Sequence, residues 1–154
     1  IASDSLLTVP NAELYHFAVM NASMHMAWVR AICGRLKSDF RYSKPIVYSN
    51  FIRCHLSDDN KTTLVLSAQA IIDARNLYPQ SSLAALYGDT MPVELLKAHQ
   101  ANDKAVDKAY GYKGADDDAS RVAFLFKLYE KATSLLPATT VPVKRKRKAK
   151  GDDS

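Results

Sequence analysis

The sequence predicts a mainly α chain with a small β portion. Three observations predict it. Apolar residues recur at three- and four-residue intervals over most of residues 14–129. Capping residues and helix breakers divide that pattern into helix-sized pieces. Brief β-prone or extended stretches are confined to positions near residues 6–9 and 35–55. With 154 residues, 47% hydrophobic and 24% charged, the chain suits one domain or two very small ones with a real core. Wholly disordered and collagen-like readings are excluded, and no apolar run approaches the ~20 residues of a membrane span.

The elements follow in order. Leu6-Leu7-Thr8-Val9 is a short β-prone run closed by Pro10, and Asn11 is placed to cap the first helix with Glu13 in its first turn. Leu14, Phe17, Met20, Met24, Trp28 and Ile32 then form a helical stripe, with the Met-rich face read as core. Asn21-Ala22-Ser23 interrupts it, so one helix or two in succession fit, ending at Gly34. Residues 35–55 change character and read as a polar loop or strand pair, with Ile46-Val47-Tyr48 a brief strand after Pro45. A helix is expected over about residues 60–77, ending before Pro79. A short turn follows over Ser82 to Tyr87. The next helix is capped by Thr90, carries Pro92 in its first turn and runs to Tyr110. Asp116-Asp117-Asp118 suits the positive end of a last helix, whose Val122, Leu125, Phe126, Leu128 and Tyr129 face a core.

Charge is unevenly spread. The net +5 divides into +3 over residues 1–57, −2 over residues 58–137 and +4 in the tail beyond. Residues 137–154, with six cations between Lys144 and Lys150, are expected to be a disordered basic arm. Such an arm attracts phosphate nonspecifically; an import signal or an inert solvated tail are its other readings. Two cysteines, Cys33 and Cys54, cannot make a disulfide scaffold, so reduced thiols in a bacterial cytoplasm are expected. The start at Ile1, with no basic-then-apolar leader, suggests a fragment of something longer without a signal peptide.

Catalytic constellations are missing from the sequence. The five glycines form no phosphate-cradling loop, and His16, His25, His55 and His99 are scattered. Cys54-His55 lacks a second pair to complete a zinc site, and its adjacency points the two side chains apart. The 35–44 segment suits DNA better, since Lys donates to guanine O6 and N7 and Asp accepts from cytosine N4. Lys37 and Asp39, two apart in an extended stretch, would share a side and read both members of one G·C pair. Arg35, Arg41 and Lys44 would hold phosphates. A solvated loop in which Asp39 pairs with Arg41 or Arg35 fits the same residue types.

Longer strings then carry a resemblance. Ser23 to Arg30, Gly34 to Ser43, Ile46 to Phe51, Ala74 to Pro79, Leu83 to Tyr87, Thr90 to His99 and Arg121 to Tyr129 together resemble the C-terminal part of the MmeI-like bifunctional restriction-modification enzymes. The resemblance covers about residues 12–135. It implies a nuclease, then an S-adenosylmethionine-dependent adenine-N6 methyltransferase, both upstream in a parent chain, with this chain completing target recognition. Residues 1–57 would be the end of a DNA target-recognition domain, 58–136 a C-terminal helical domain and 137–154 the basic tail. The partners implied are double-stranded DNA and those upstream domains, with no membrane. S-adenosylmethionine and Mg2+ are expected in the parent enzyme and no cofactor in this fragment. The positions of Lys37 and Asp39 are those the family varies to change a target base, while Arg35, Arg41, Tyr42 and Ser43 match its more uniform, backbone-contacting part. One departure stands out: Ile52-Arg53-Cys54-His55 occupies the place of the family's proline-aromatic-proline turn. Two alternatives need less. A helical interaction module over 58–136 would dock on its parent without touching DNA, and a free-standing nucleoid-type binder would use the basic arm.

Overall fold

The computed structural model describes residues 8–36, 39–42 and 47–134, with the backbone alone for 34–36 and 39–41. It is mainly helical. Leu14–Met20 (α1) and Ser23–Ile32 (α2) are two helices, separated at Asn21-Ala22. Next come two three-residue strands, Gly34–Leu36 (β1) and Asp39–Arg41 (β2). They pair antiparallel with Arg35 opposite Phe40 and Leu36 opposite Asp39. Four helices complete the chain: Asp58–Asn76 (α3), Leu83–Leu86 (α4), Val93–Tyr110 (α5) and Asp118–Ser134 (α6).

Local chemistry sets most of these ends. Ser57 caps α3 by accepting the Asn60 N–H at 3.3 Å, and Asp58 and Asp59 occupy its positive first turn. Ser82 does the same for α4 through Ala85 N–H at 3.2 Å. Gly111 ends α5 in the left-handed region at φ 72°, where a side chain would be strained, and lets Tyr112 N–H return to the Asp107 carbonyl at 2.8 Å. Asp117 precedes α6 and accepts Ser120 N–H and Oγ, both at 2.8 Å, which holds its carboxyl below the usual range.

Several expectations are corrected. Asn11 does not cap α1; Glu13 stands at that position, and its N–H donates to His16 Nδ1 at 2.9 Å. Asn11 instead takes φ 54°, a left-handed turn conformation that asparagine tolerates. Pro92, not Thr90, precedes α5, since its lack of an N–H costs nothing at a helix start. Val47 and Tyr48 lie in a helical turn rather than a strand: Phe51 N–H donates to the Val47 carbonyl at 3.1 Å. On α6, Phe126 and Tyr129 are 45% and 39% exposed, whereas Arg121 is buried. Arg121 turns inward because Asp107 and Asp116 receive its Nη2 at 2.9 and 2.7 Å. The run Leu6-Leu7, Ile46 of the expected strand and the arm 137–154 lie outside the described residues.

One core crosses the position where the sequence changes character. Met24, Trp28, Val47, Phe51 and Leu56 share it with Leu64, Ala68, Val106, Tyr110 and Leu125. A second, smaller cluster joins Ile71, Ala74, Leu86 and Leu95. Helix α3 lies mainly on α5 and α1, and α2 lies mainly on α6. The strand pair therefore leaves directly from a helix that is buried in the body.

Candidate nucleic-acid interface

The interface is built outward from α2. That helix buries Met24, His25, Ala27, Trp28 and Val29, because its apolar residues lie between α6 and the segment 47–51. It ends where Cys33 turns extended, and β1 begins at the next residue. The return end of the pair is tied to the same helix. Tyr42, the residue after β2, places its hydroxyl 3.2 Å from His25 Nε2. Phe51 meets the His25 ring edge-on at 4.6 Å between centroids. Three residues along, Trp28 Nε1 donates to the Val47 carbonyl at 3.1 Å. His25 and Trp28 thus share one helix face and hold both segments that follow the strand pair.

Burial tunes this root. It pushes the His25 imidazole down to about 4 and the Tyr42 phenol up to about 12, with Tyr48 and Cys33 adding to the latter. Both groups are therefore neutral near pH 7, which suits a buried hydrogen bond without a counter-charge. Among the described residues, the buried His25 Nδ1 finds no hydrogen-bond partner. At the far end of α2, Arg30 makes a two-pronged pair with Asp118 at the start of α6, Nη2 to Oδ1 at 2.8 Å. This pair ties the helix that launches the strands to the last helix.

The expected site residues divide into three groups. Arg35 lies in β1, and Asp39 and Arg41 lie in β2. Lys37, Ser43 and Lys44 are outside the described residues. Tyr42 is half-buried with its hydroxyl at His25. Leu36 stands opposite Asp39 in the antiparallel pair, and the expected sharing of one side by Lys37 and Asp39 rests on Lys37, outside the described residues. Lys37 falls, in sequence order, between the last residue of β1 and the first of β2. The residues that the sequence did not single out are those of the root. Trp28 stood in the helical stripe and His25 among the scattered histidines, and their spacing of three was the available signal.

The comparisons give this arrangement its family. Residues 1–54 match the model of the MmeI target recognition domain, and residues 56–137 match that of the MmeI C-terminal domain. The chain is 37% identical over 134 residues to DNA methyltransferase A of Bacillus subtilis (strain 168), covering 86% of this chain and 15% of that protein. It is also similar to the solved structure of the Type IIL restriction-modification enzyme MmeI in complex with DNA. That likeness has a TM-score of 0.79 and 46% identity, over 82% of this chain and 17% of the other. The chain thus spans about a sixth of the length of these relatives. It belongs to the MmeI family, as the end of a target recognition domain continued by the C-terminal domain.

Proposed function

We propose that this chain reads DNA sequence for an adenine-N6 methyltransferase and restriction enzyme, with the small β portion as its reading element. The observation that carries the reading is the antiparallel pair β1–β2, which departs from a buried helix and is tied back to it at Tyr42. A two-stranded ribbon fits the major groove, where donor and acceptor patterns distinguish all four base pairs. Lys37 and Asp39 supply the base contacts, Lys37 toward guanine and Asp39 toward cytosine. Arg35, Arg41, Tyr42, Ser43 and Lys44 hold the sugar-phosphate backbone and fix register. Charge supports this assignment, since residues 1–57 carry +3 while residues 58–137 carry −2.

In the parent enzyme, residues outside this chain hold S-adenosylmethionine and Mg2+. No described helix is long and apolar enough to cross a membrane, and a DNA target places the enzyme in the bacterial cytoplasm. The second reading, docking of the helical part on the parent chain, is favoured by Leu66, Leu77, Leu83 and Val93, each more than half exposed on or beside α3 to α5. The two readings concern different segments. The test is a Lys37→Glu, Asp39→Arg double substitution in the whole enzyme, followed by long-read mapping of methylated adenines. A changed base in the methylated sequence supports the reader; unchanged sites at unchanged activity refute it.

A further inference from the structure

A cavity of about 240 Å³ opens beside Phe51, the residue that meets His25 at the root of the strand pair. Its walls are Tyr15, Val19, Tyr48, Phe51, Leu56 and Tyr110. Two cations line it as well. The Arg53 guanidinium lies over the Tyr48 ring at 4.9 Å and the Lys61 ammonium over the Tyr15 ring at 5.8 Å. Among the described residues neither cation has a carboxylate within ion-pair distance, and no Asp or Glu lines the cavity.

We propose that this pocket binds a single nucleotide, with the base ring among the tyrosines and Phe51 and the phosphate on Arg53 and Lys61. The chemistry on the page selects such a ligand. An aromatic-walled cavity favours a flat ring, because stacking on tyrosine and phenylalanine tolerates any base. Two lining cations without a carboxylate among the described residues favour an anion attached to that ring. The volume lies below the ~300–1,000 Å³ typical of pockets for larger ligands, which suits one ring system rather than a dinucleotide. A free nucleotide and a nucleotide turned out of a DNA strand present the same chemistry. This inference stands apart from base reading by the strand pair and survives if that reading fails.

The test is calorimetric titration of the full chain with adenosine monophosphate, adenosine, inorganic phosphate and a short single-stranded DNA. Adenosine monophosphate is expected to bind more tightly than adenosine or phosphate alone. The Arg53→Gln, Lys61→Gln double substitution should weaken it by about ten-fold or more, as loss of two charged hydrogen bonds implies. Both residues line the cavity, and an unchanged melting temperature confirms that the variant folds. Single-stranded DNA bound with the same sensitivity to the substitution identifies DNA as the source. Binding of the mononucleotide alone identifies a free nucleotide. No binding of either, binding as tight by phosphate alone, or binding unaffected by the double substitution overturns the proposal.

Discussion

Asp103 accepts the backbone N–H of Ser23 at 2.7 Å and its hydroxyl at 2.8 Å, across 80 positions of sequence. It thereby caps α2 from α5. The preceding residue, Asn102, is buried and donates to the Ala18 carbonyl at 2.8 Å, one of the last four carbonyls of α1. Asn102 also accepts from Ser67 Oγ of α3 at 2.8 Å. Two adjacent residues of one helix therefore satisfy both sides of the break between two others. That break fixes the direction in which α2 presents the strand pair.

Asn102→Leu should cost about 1–3 kcal/mol of stability, because it deprives the Ala18 carbonyl of its side-chain donor, while the Ser67 hydroxyl keeps the Leu64 carbonyl. Asp103→Ala should cost about 1 kcal/mol, the usual loss for a removed cap. Urea unfolding of the two variants checks both values. Equal, negligible shifts would show that α1 and α2 hold their junction without α5.

Acid should weaken the fold through His25. Its folded-state pKa is lowered to about 4 by burial, so the folded state binds its proton less readily than the unfolded chain does. The neutral ring thus contributes fully above the unfolded value near 6.5, and the contribution is lost as pH falls from there through about 4. The difference is on the order of 3 kcal/mol. His99, also held low by burial, and the carboxyls of Asp117 and Asp118, held low by their partners, act in the same direction. A His25→Leu variant keeps those groups and removes only the one contribution. Its urea midpoint should fall less between pH 7 and pH 4.5 than that of the parent sequence. Parallel losses would remove His25 from the account.

The helices were legible where local chemistry decides them. The helix expected over about residues 60–77, the turn over Ser82 to Tyr87 and the helix running to Tyr110 lie close to α3, α4 and α5, whose ends are set locally by Ser57, Ser82 and Gly111. The break at Asn21 was legible as an interruption, but the choice of two helices rests on Asn102 and Asp103, which sequence order hides. Val47 and Tyr48 look β-prone locally, yet Trp28 claims the Val47 carbonyl and Phe51 enters the core, so a helical turn wins. On α6 the apolar pattern allows either face inward. The carboxylates of Asp107 and Asp116 decide it by drawing Arg121 in and leaving Phe126 at the surface beside Trp28. Of the site, residue types were legible and geometry was not. The spacing of Lys37 and Asp39 reads alike for one strand and for two strands that reverse.

Trp28→Phe should loosen the root without removing its apolar contacts. The substitution keeps a ring beside Phe51 and Phe126 but deletes the donor to the buried Val47 carbonyl. The carbonyl keeps the Phe51 N–H, so the loss is that of one buried hydrogen bond, about 0.5–1.5 kcal/mol. The segment 42–51 should then become the first site of limited proteolysis, read by mass spectrometry of the early fragments. Early fragments the same as those of the unsubstituted chain would mean that Trp28 contributes only bulk.

Deleting residues 138–154 separates attraction from recognition. The segment carries six Lys and Arg residues, and each phosphate contact contributes about 0.9 to the slope of log affinity against log salt. Removing it should therefore lower the slope for duplex DNA by at most about 5. The preferred sequence, measured by binding a randomised duplex pool, should stay the same, since phosphate contacts carry no base information. A Lys37→Glu change should do the reverse, altering the preferred sequence while shifting the slope by only about 1–2. A truncated protein that selects a different sequence would place base reading in the tail and not at the strand pair.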